Sequence, residues 1–435
     1  MRPAEAHTDT SLTASLRTQG NCRTLATASP HIACSEEITI TKALAERLHA
    51  TGVADELTDL TERQVLAGIA TVLLQDNEVV DEAFYGFADI DNKTPVRGDT
   101  IHRIFSNTKI ITSIAMLMLY EEGQYQLDDP LVQYLPALDH LKVLKAGATD
   151  VTDTEALATP PTIRQAFTHT TGFSYGTFQE SPVDRLFMEA GVQDRTGTLA
   201  DMIDKLAEIP LARQPGTRWQ YSIATDILAR LVEVMSGETF ADFLSTRLFQ
   251  PLGMTDTGFH ITEDQVDRLA TLYAPVNMMD ESKGLQPLSG MFSFDPTVPP
   301  SFCSGGGGLL STISDYTRFV QLLIGRGEYQ GQKLLQPETL DLMTENHLPE
   351  GLTVHLPGGM MQDHTFGLGV ALKSSPSPGE PDGAVGEFHW AGIAGTHSWI
   401  NRHYGIAGLA FTQRMPGFFH AFNQTFKRRA YEAAS

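Results

Sequence analysis

Ser106 and Lys109 stand three residues apart in Ser106-Asn-Thr-Lys109, at the head of a long apolar run. On a helix that spacing puts both side chains on one face, and a helix N-terminus favours negative charge developing on the serine oxygen. The chemistry available is nucleophilic attack by Ser106, with Lys109 helping to deprotonate it. A lysine does this only if burial and positive neighbours lower its pKa, and the apolar residues after Lys109 offer a dry setting. This is the only Ser-x-x-Lys in the chain. So short a pattern also arises by chance, and a capping serine beside a solvated lysine would be written with the same letters.

A second serine competes. Gly172-Phe-Ser-Tyr-Gly176 matches the Gly-x-Ser-x-Gly elbow, which requires a hydrophobic strand before it and a helix after it. Phe167-Thr-His-Thr-Thr171 instead follows a helical pattern, and Thr177-Phe-Gln-Glu-Ser-Pro182 reads as loop, so Ser174 is expected to be a turn residue. Gly305 to Gly308 lack the Gly-Lys-Ser/Thr ending of a phosphate-binding loop and read as a close-packed turn. The fourteen histidines include no His-Glu-x-x-His and no Cys/His quartet. His364, His389, His397 and His403 are therefore expected as strand and loop residues, with no metal and no cofactor.

Composition narrows the partners. The 435 residues, 41% of them hydrophobic, can bury a sizeable core. A formal charge of −22, from 31 basic and 53 acidic residues, repels polyanions, so nucleic acid is not an expected partner. Cys22, Cys34 and Cys303 are too few for a disulfide framework, which fits a reducing compartment. No run suits a signal-peptide core or a membrane span, so the expected location is the cytoplasm. Residues 1–36 show neither helical nor strand periodicity and are expected to form a loosely ordered extension.

The elements that must position these side chains follow from periodicity. A helical pattern over 38–60 precedes two β-rich runs, 67–75 and 79–86, joined at Asp76-Asn77 as a hairpin. The run 106–120 is apolar nearly all round and should be a buried helix. Helical patterns then recur at 162–168, 199–208, 223–235 and 240–249. After the Pro-rich stretch 296–300 comes a helix over 315–323, then β-like segments at 366–372, 387–390, 396–401 and 406–413, the last two a hairpin. Strands, helices, strands: this order predicts an α/β (α+β) protein with an antiparallel central sheet flanked by helices and an inserted, mostly helical domain. The sheet domain would comprise 37–105 and 295–435 and the helical domain 106–294, with the active site at their interface.

Six segments together resemble the class C β-lactamase and penicillin-binding-protein superfamily, and within it the family VIII carboxylesterases, over roughly residues 40–415. They are Phe105-Ser-Asn-Thr-Lys109, Thr162-Ile-Arg-Gln-Ala-Phe-Thr-His-Thr-Thr-Gly172, Pro215-Gly-Thr-Arg-Trp-Gln-Tyr-Ser-Ile-Ala-Thr-Asp226, Pro251-Leu-Gly-Met-Thr-Asp-Thr257, Gly305-Gly-Gly-Gly-Leu-Leu-Ser-Thr312 and Trp390-Ala-Gly-Ile-Ala-Gly-Thr396. The resemblance implies a β-lactamase-like fold. It also implies that Tyr221 joins Ser106 and Lys109 as a third catalytic residue, and that the backbone N–H groups of Ser106 and Ile393 form an oxyanion hole.

Trp390-Ala391-Gly392 lies where penicillin-recognising relatives carry Lys-Thr-Gly or His-x-Gly, and Ile223 lies where β-lactamases of the class have asparagine. An apolar wall at Trp390 suits a neutral ester better than a carboxylate-bearing lactam. The expected substrate contacts are Trp390, Gly392 and Ile223. The expected activity is hydrolysis of short-chain carboxylic esters through an acyl-enzyme on Ser106, the partner being a small-molecule ester. The same site could serve an acyltransferase, or a β-lactamase or amide hydrolase; a non-catalytic sensor retaining the fold is the alternative from another class.

Overall fold

The computed structural model describes residues 43–435, apart from 179–180, 291–293, 357–358, 362, 378–379 and 418–421. The extension expected over 1–36, with Cys22 and Cys34, lies outside the described residues.

Gly68–Gln75 forms strand β1, buried at every position except the last. A strand apolar on both sides must be covered on both. It turns at Asp76-Asn77, both with positive φ, into β2 (Glu78–Asp89), and Thr94–Pro95 adds β3. The remaining strands of this sheet come from the other end of the chain: β4 (His364–Phe366), β5 (Ala371–Lys373), β6 (Phe388–Ala391), β7 (His397–Asn401) and β8 (Ile406–Thr412). The order is β4-β5-β6-β7-β8-β1-β2-β3, antiparallel throughout. β1 lies against β8 in a register running from Ile69 opposite Thr412 to Gln75 opposite Ile406.

Side-chain alternation sends the two faces into different cores. Ile69, Leu73, Trp399 and Ile406 pack with Leu57 of helix α1 (Val53–Glu62) and with Phe422, Phe426 and Ala430 of the C-terminal helix. Val72, Leu74, Leu409 and Phe411 join the larger core, which contains α2 (Thr108–Glu121), α3 (Ala224–Ser236) and α4 (Ile313–Ile324). Every residue of α2 from Thr108 to Leu119 is buried, as its all-round apolarity requires. The C-terminal helix, α5 (Phe422–Ala434), is also tied down by charge. Lys427 meets Glu387 at 2.8 Å and Glu380 at 3.1 Å, while Lys373 meets Glu380 at 2.6 Å and Asp363 at 3.4 Å. The Tyr431 hydroxyl donates to Glu387 at 2.7 Å.

Three expectations on elements change. The helical pattern 38–60 is broken: residues 43–50 are helical, Gly52 adopts φ 78°, and α1 starts afresh at Val53. The single strand expected at 366–372 is a hairpin of β4 and β5, because Gly369 turns the chain at φ 85° and a side chain at Gly367 would strike the Met343 carbonyl at 2.2 Å. The helix expected from Ser106 begins at Thr108, after a 3₁₀ turn over Phe105–Asn107. Among the described residues no helix is long and apolar enough to cross a membrane.

Candidate active site

The turn carrying Ser106 is clamped from several directions. The Ile104 carbonyl accepts from Thr396 Oγ1 at 2.9 Å, and Asn107 Oδ1 accepts from Ser398 Oγ at 3.1 Å, so β7 and the turn before it hold one side. Tyr316 of α4 donates to the Asn107 carbonyl at 3.0 Å. Phe105 itself has φ 44°, a left-handed conformation costing on the order of 1–3 kcal/mol for a residue with a side chain. That strained step presents Ser106 at the mouth of a cavity.

Tyr221 arrives from the segment before α3. The Gln220 N–H donates to the His169 carbonyl at 2.9 Å, and the Ile223 N–H to the Ser174 carbonyl at 3.1 Å. Residues 169–176 are thus the scaffold on which Tyr221 is laid. The Ser174 hydroxyl donates to the buried Asp184 carboxylate, and Gly172 and Gly176 hold φ of 86° and 78°, as a turn demands. Ser174 does not line the cavity; its motif positions a neighbour instead.

The geometry brings three expected residues together. The Tyr221 hydroxyl donates to Ser106 Oγ at 2.7 Å, and Lys109 Nζ donates to the same oxygen at 3.4 Å and to the Gly306 carbonyl at 2.6 Å. Lys109 is 1% exposed and its ammonium lies 4.6 Å from the centre of the Tyr221 ring. Burial alone pushes the lysine's pKa down, but the phenol oxygens of Tyr175 and Tyr221 and the Asp226 carboxyl outweigh it, and the net direction is up. The dry setting is as expected, whereas the direction of the shift is opposite to the one a free base would need.

Several neighbours lie within the motifs quoted from the sequence but had no role assigned there. Tyr175 stacks on Tyr221 with ring centres 5.3 Å apart and planes 7° from parallel, and burial pushes its hydroxyl up to about 12. Asp226, on α3, accepts from Ser304 Oγ at 2.5 Å and from the Gly306 N–H at 3.0 Å. Gly306 thereby links Asp226 to Lys109, through its N–H on one side and its carbonyl on the other. The glycine tetrad is close-packed, since a Cβ at Gly305 would lie 2.6 Å from Ala229 Cβ and one at Gly306 2.5 Å from Asp226 Oδ2. His169 packs its ring 5.0 Å from that of Tyr221, and burial holds its pKa well below the ordinary value, so it is neutral.

The cavity has a volume of about 360 Å³ and is lined by Ser106, Tyr221 and, from the end of β6 and the turn after it, Trp390, Gly392 and Ile393. Phe178, Phe302, Leu356 and Met361 make further wall apolar. A Cβ at Gly392 would lie 2.4 Å from the Ile104 carbonyl, so only glycine lets this turn approach the Ser106 turn. The Ile393 N–H makes no hydrogen bond among the described residues. Of the expected substrate contacts, Ile223, at the N-cap of α3, is fully buried and is not among the residues lining the cavity. His389 of β6, which also lines the cavity, touches both His364 of β4 and His397 of β7; His403 is in the β7–β8 turn. Among the described residues no group of acidic, histidine or cysteine side chains could hold a metal ion.

The chain matches, over residues 53–432, a family model described as Beta-lactamase. Esterase EstB of Burkholderia gladioli is 31% identical over 383 residues, covering 85% of this chain and 90% of its own. Lovastatin esterase of Penicillium rubens is 32% identical over 366 residues, covering 79% and 88%. Among solved structures, EstCE1, a hydrolase with promiscuous acyltransferase activity, shares the fold at a TM-score of 0.73 and 23% identity, over 90% of this chain and 100% of its own.

Proposed function

The chain belongs to the β-lactamase family and is a serine hydrolase of its family VIII esterase branch, and from that premise we propose that it hydrolyses short-chain carboxylic esters through an acyl-enzyme on Ser106. The observation that carries this reading is the 2.7 Å contact of the Tyr221 hydroxyl with Ser106 Oγ, beside the Lys109 ammonium and at the mouth of an apolar cavity. The oxygens of Tyr175, Tyr221 and Asp226 favour the protonated form of Lys109, and on this reading its charge lowers the cost of negative charge on the two oxygens it faces. On this reading Tyr221 gives its own proton to the departing alkoxide and takes the proton of Ser106 Oγ in its place, as the serine bonds to the acyl carbon and the ester C–O bond breaks. The N–H groups of Ser106 and Ile393 stabilise the tetrahedral oxyanion. Water then repeats the sequence in reverse, giving its proton through Tyr221 to Ser106 as the acid leaves.

On this reading the site lies where a helical unit over 106–294 meets a sheet unit over 37–105 and 295–435. The few cysteines support a cytoplasmic location. Acyl transfer is the second reading, favoured by Phe178, Phe302, Leu356 and Met361, whose apolar wall would hold an alcohol acceptor against water.

The test is p-nitrophenyl ester hydrolysis with fluorophosphonate labelling. Ser106→Ala should abolish both. Ser174→Ala should keep most activity while losing about 1–3 kcal/mol of stability with its bond to Asp184. A folded wild-type protein that neither labels nor turns over ester would refute the reading, and an added alcohol that captures the acyl group would identify transfer.

A further inference from the structure

The walls of the Ser106 cavity are mostly apolar, with a few neutral polar side chains such as Thr177, Gln193 and Ser304, and they include two arginines. Arg103, on a short strand three residues before Ser106, and Arg195, on the loop before the helix Leu199–Ala207, both line it. Phe294 lies between them, with the Arg195 guanidinium carbon 3.6 Å from the ring centre and that of Arg103 5.6 Å from it. In a chain with 53 acidic residues, arginines ordinarily find carboxylates. Among the described residues no carboxylate forms an ion pair with either of these, although Arg164, Arg230, Arg268 and Arg318 each have one.

The bonding of Arg103 sharpens the point. It donates to one neutral acceptor, the Ala270 carbonyl at 3.2 Å, and its Nε is buried without a partner. Burial and the neighbouring Arg195 both pull its pKa down, to about 10, so the resting site bears the cost of two partly desolvated like charges. A buried cation without a counter-ion is unfavourable unless something arrives to pair with it. A carboxylate matches the guanidinium fork and would remove both the repulsion and the unmet donors.

We propose that Arg103 and Arg195 form an anion subsite within the Ser106 cavity, and that the preferred substrate is an ester carrying a free carboxylate, such as a monoester of a dicarboxylic acid. This rests on the reading of Ser106 as nucleophile and replaces the neutral ester expected from Trp390. The apolar wall takes the hydrocarbon part, and the arginines fix which end faces Ser106.

The experiment compares p-nitrophenyl hydrogen glutarate with its neutral isostere, p-nitrophenyl pentanoate. The wild-type protein should favour the anionic ester in kcat/KM by about tenfold or more at low ionic strength, chiefly through KM, and the preference should shrink as salt screens it. In Arg195→Gln the anionic-to-neutral ratio should fall about tenfold, and in Arg195→Lys by less. Free glutarate should inhibit pentanoate hydrolysis competitively, and more weakly in Arg195→Gln. Arg103→Gln should act in the same direction, and if it does not fold, the half-exposed Arg195 still gives the answer. A wild-type preference for the neutral ester, or variants that lose both substrates in equal proportion, would overturn the subsite. If neither ester is turned over and Ser106 does not label, it is the hydrolase reading that fails, and calorimetric binding of glutarate to wild type and Arg195→Gln then decides the subsite by itself.

Discussion

Lys109 gives a charge to the site in a form that arginine can imitate and methionine cannot. If the amine's task is to remain protonated beside Tyr221 and Ser106, Lys109→Met should slow fluorophosphonate labelling by about 10²–10⁴-fold, and Lys109→Arg should retain more of the rate. Equal loss in both would return the role of free base to the lysine. Ser106 and Lys109 were legible in the sequence because their spacing is local and a helical turn converts it into proximity. Tyr221 became legible through its motif. Tyr175, Asp226, Arg103 and Arg195 were not, because their relation to Ser106 exists only after distant segments pack. Burial of Lys109 was also foreseeable, whereas the sign of its pKa shift depended on which oxygens the fold brings near.

At the scale of elements, the turn after β6 and the turn before α2 must nearly touch. Gly392→Ala would place a methyl 2.4 Å from the Ile104 carbonyl and 2.3 Å from Thr396 Oγ1, pushing the Ile393 N–H away from Ser106. Its kcat should fall by about 10²–10³-fold with KM little changed, as for loss of an oxyanion donor, and burst kinetics would locate the loss in acylation. An unchanged kcat would remove Ile393 from the mechanism. Strands with continuous apolar runs, such as β1 and β8, were readable from composition. The β4–β5 hairpin was not, since its turn depends on Gly367 meeting the Met343 carbonyl far away in sequence. Helix α5 did leave a signal, Phe422, Phe426 and Ala430 at four-residue spacing, but the sequence reading assigns no element there.

At the scale of the whole molecule, the buried charges between α5 and the sheet set its tolerance of acid. His364 is pushed down to about 4 and His397 to about 3, burial being the main cause for both. Their unfolded forms take up protons first, so stability should fall as pH drops from about 6.5 to about 4. Burial pushes Glu380 up, but Lys427 and Lys373 outweigh it and bring it to about 2; its contribution is present above about 4.5 and lost between there and 2. Melting temperature should therefore decline in two overlapping stages below neutrality, read by calorimetry, and a flat profile from about pH 7 to pH 4 would contradict this assignment.

The pairing of β1 with β8 also dictates an order of events during synthesis. The edge of β1 that β8 will cover leaves the ribosome with its N–H and C=O groups unmatched, and the strand that satisfies them is translated more than three hundred residues later. Ser106, Lys109 and Tyr221 are made in the first half of that interval, Trp390, Gly392 and Ile393 only at its very end. The nascent chain therefore carries an open, apolar sheet edge for most of its elongation, a hazard that chaperones exist to cover. It cannot enclose a substrate until almost the last strand has docked, so Ser106, the proposed nucleophile, is made early and could serve only near completion.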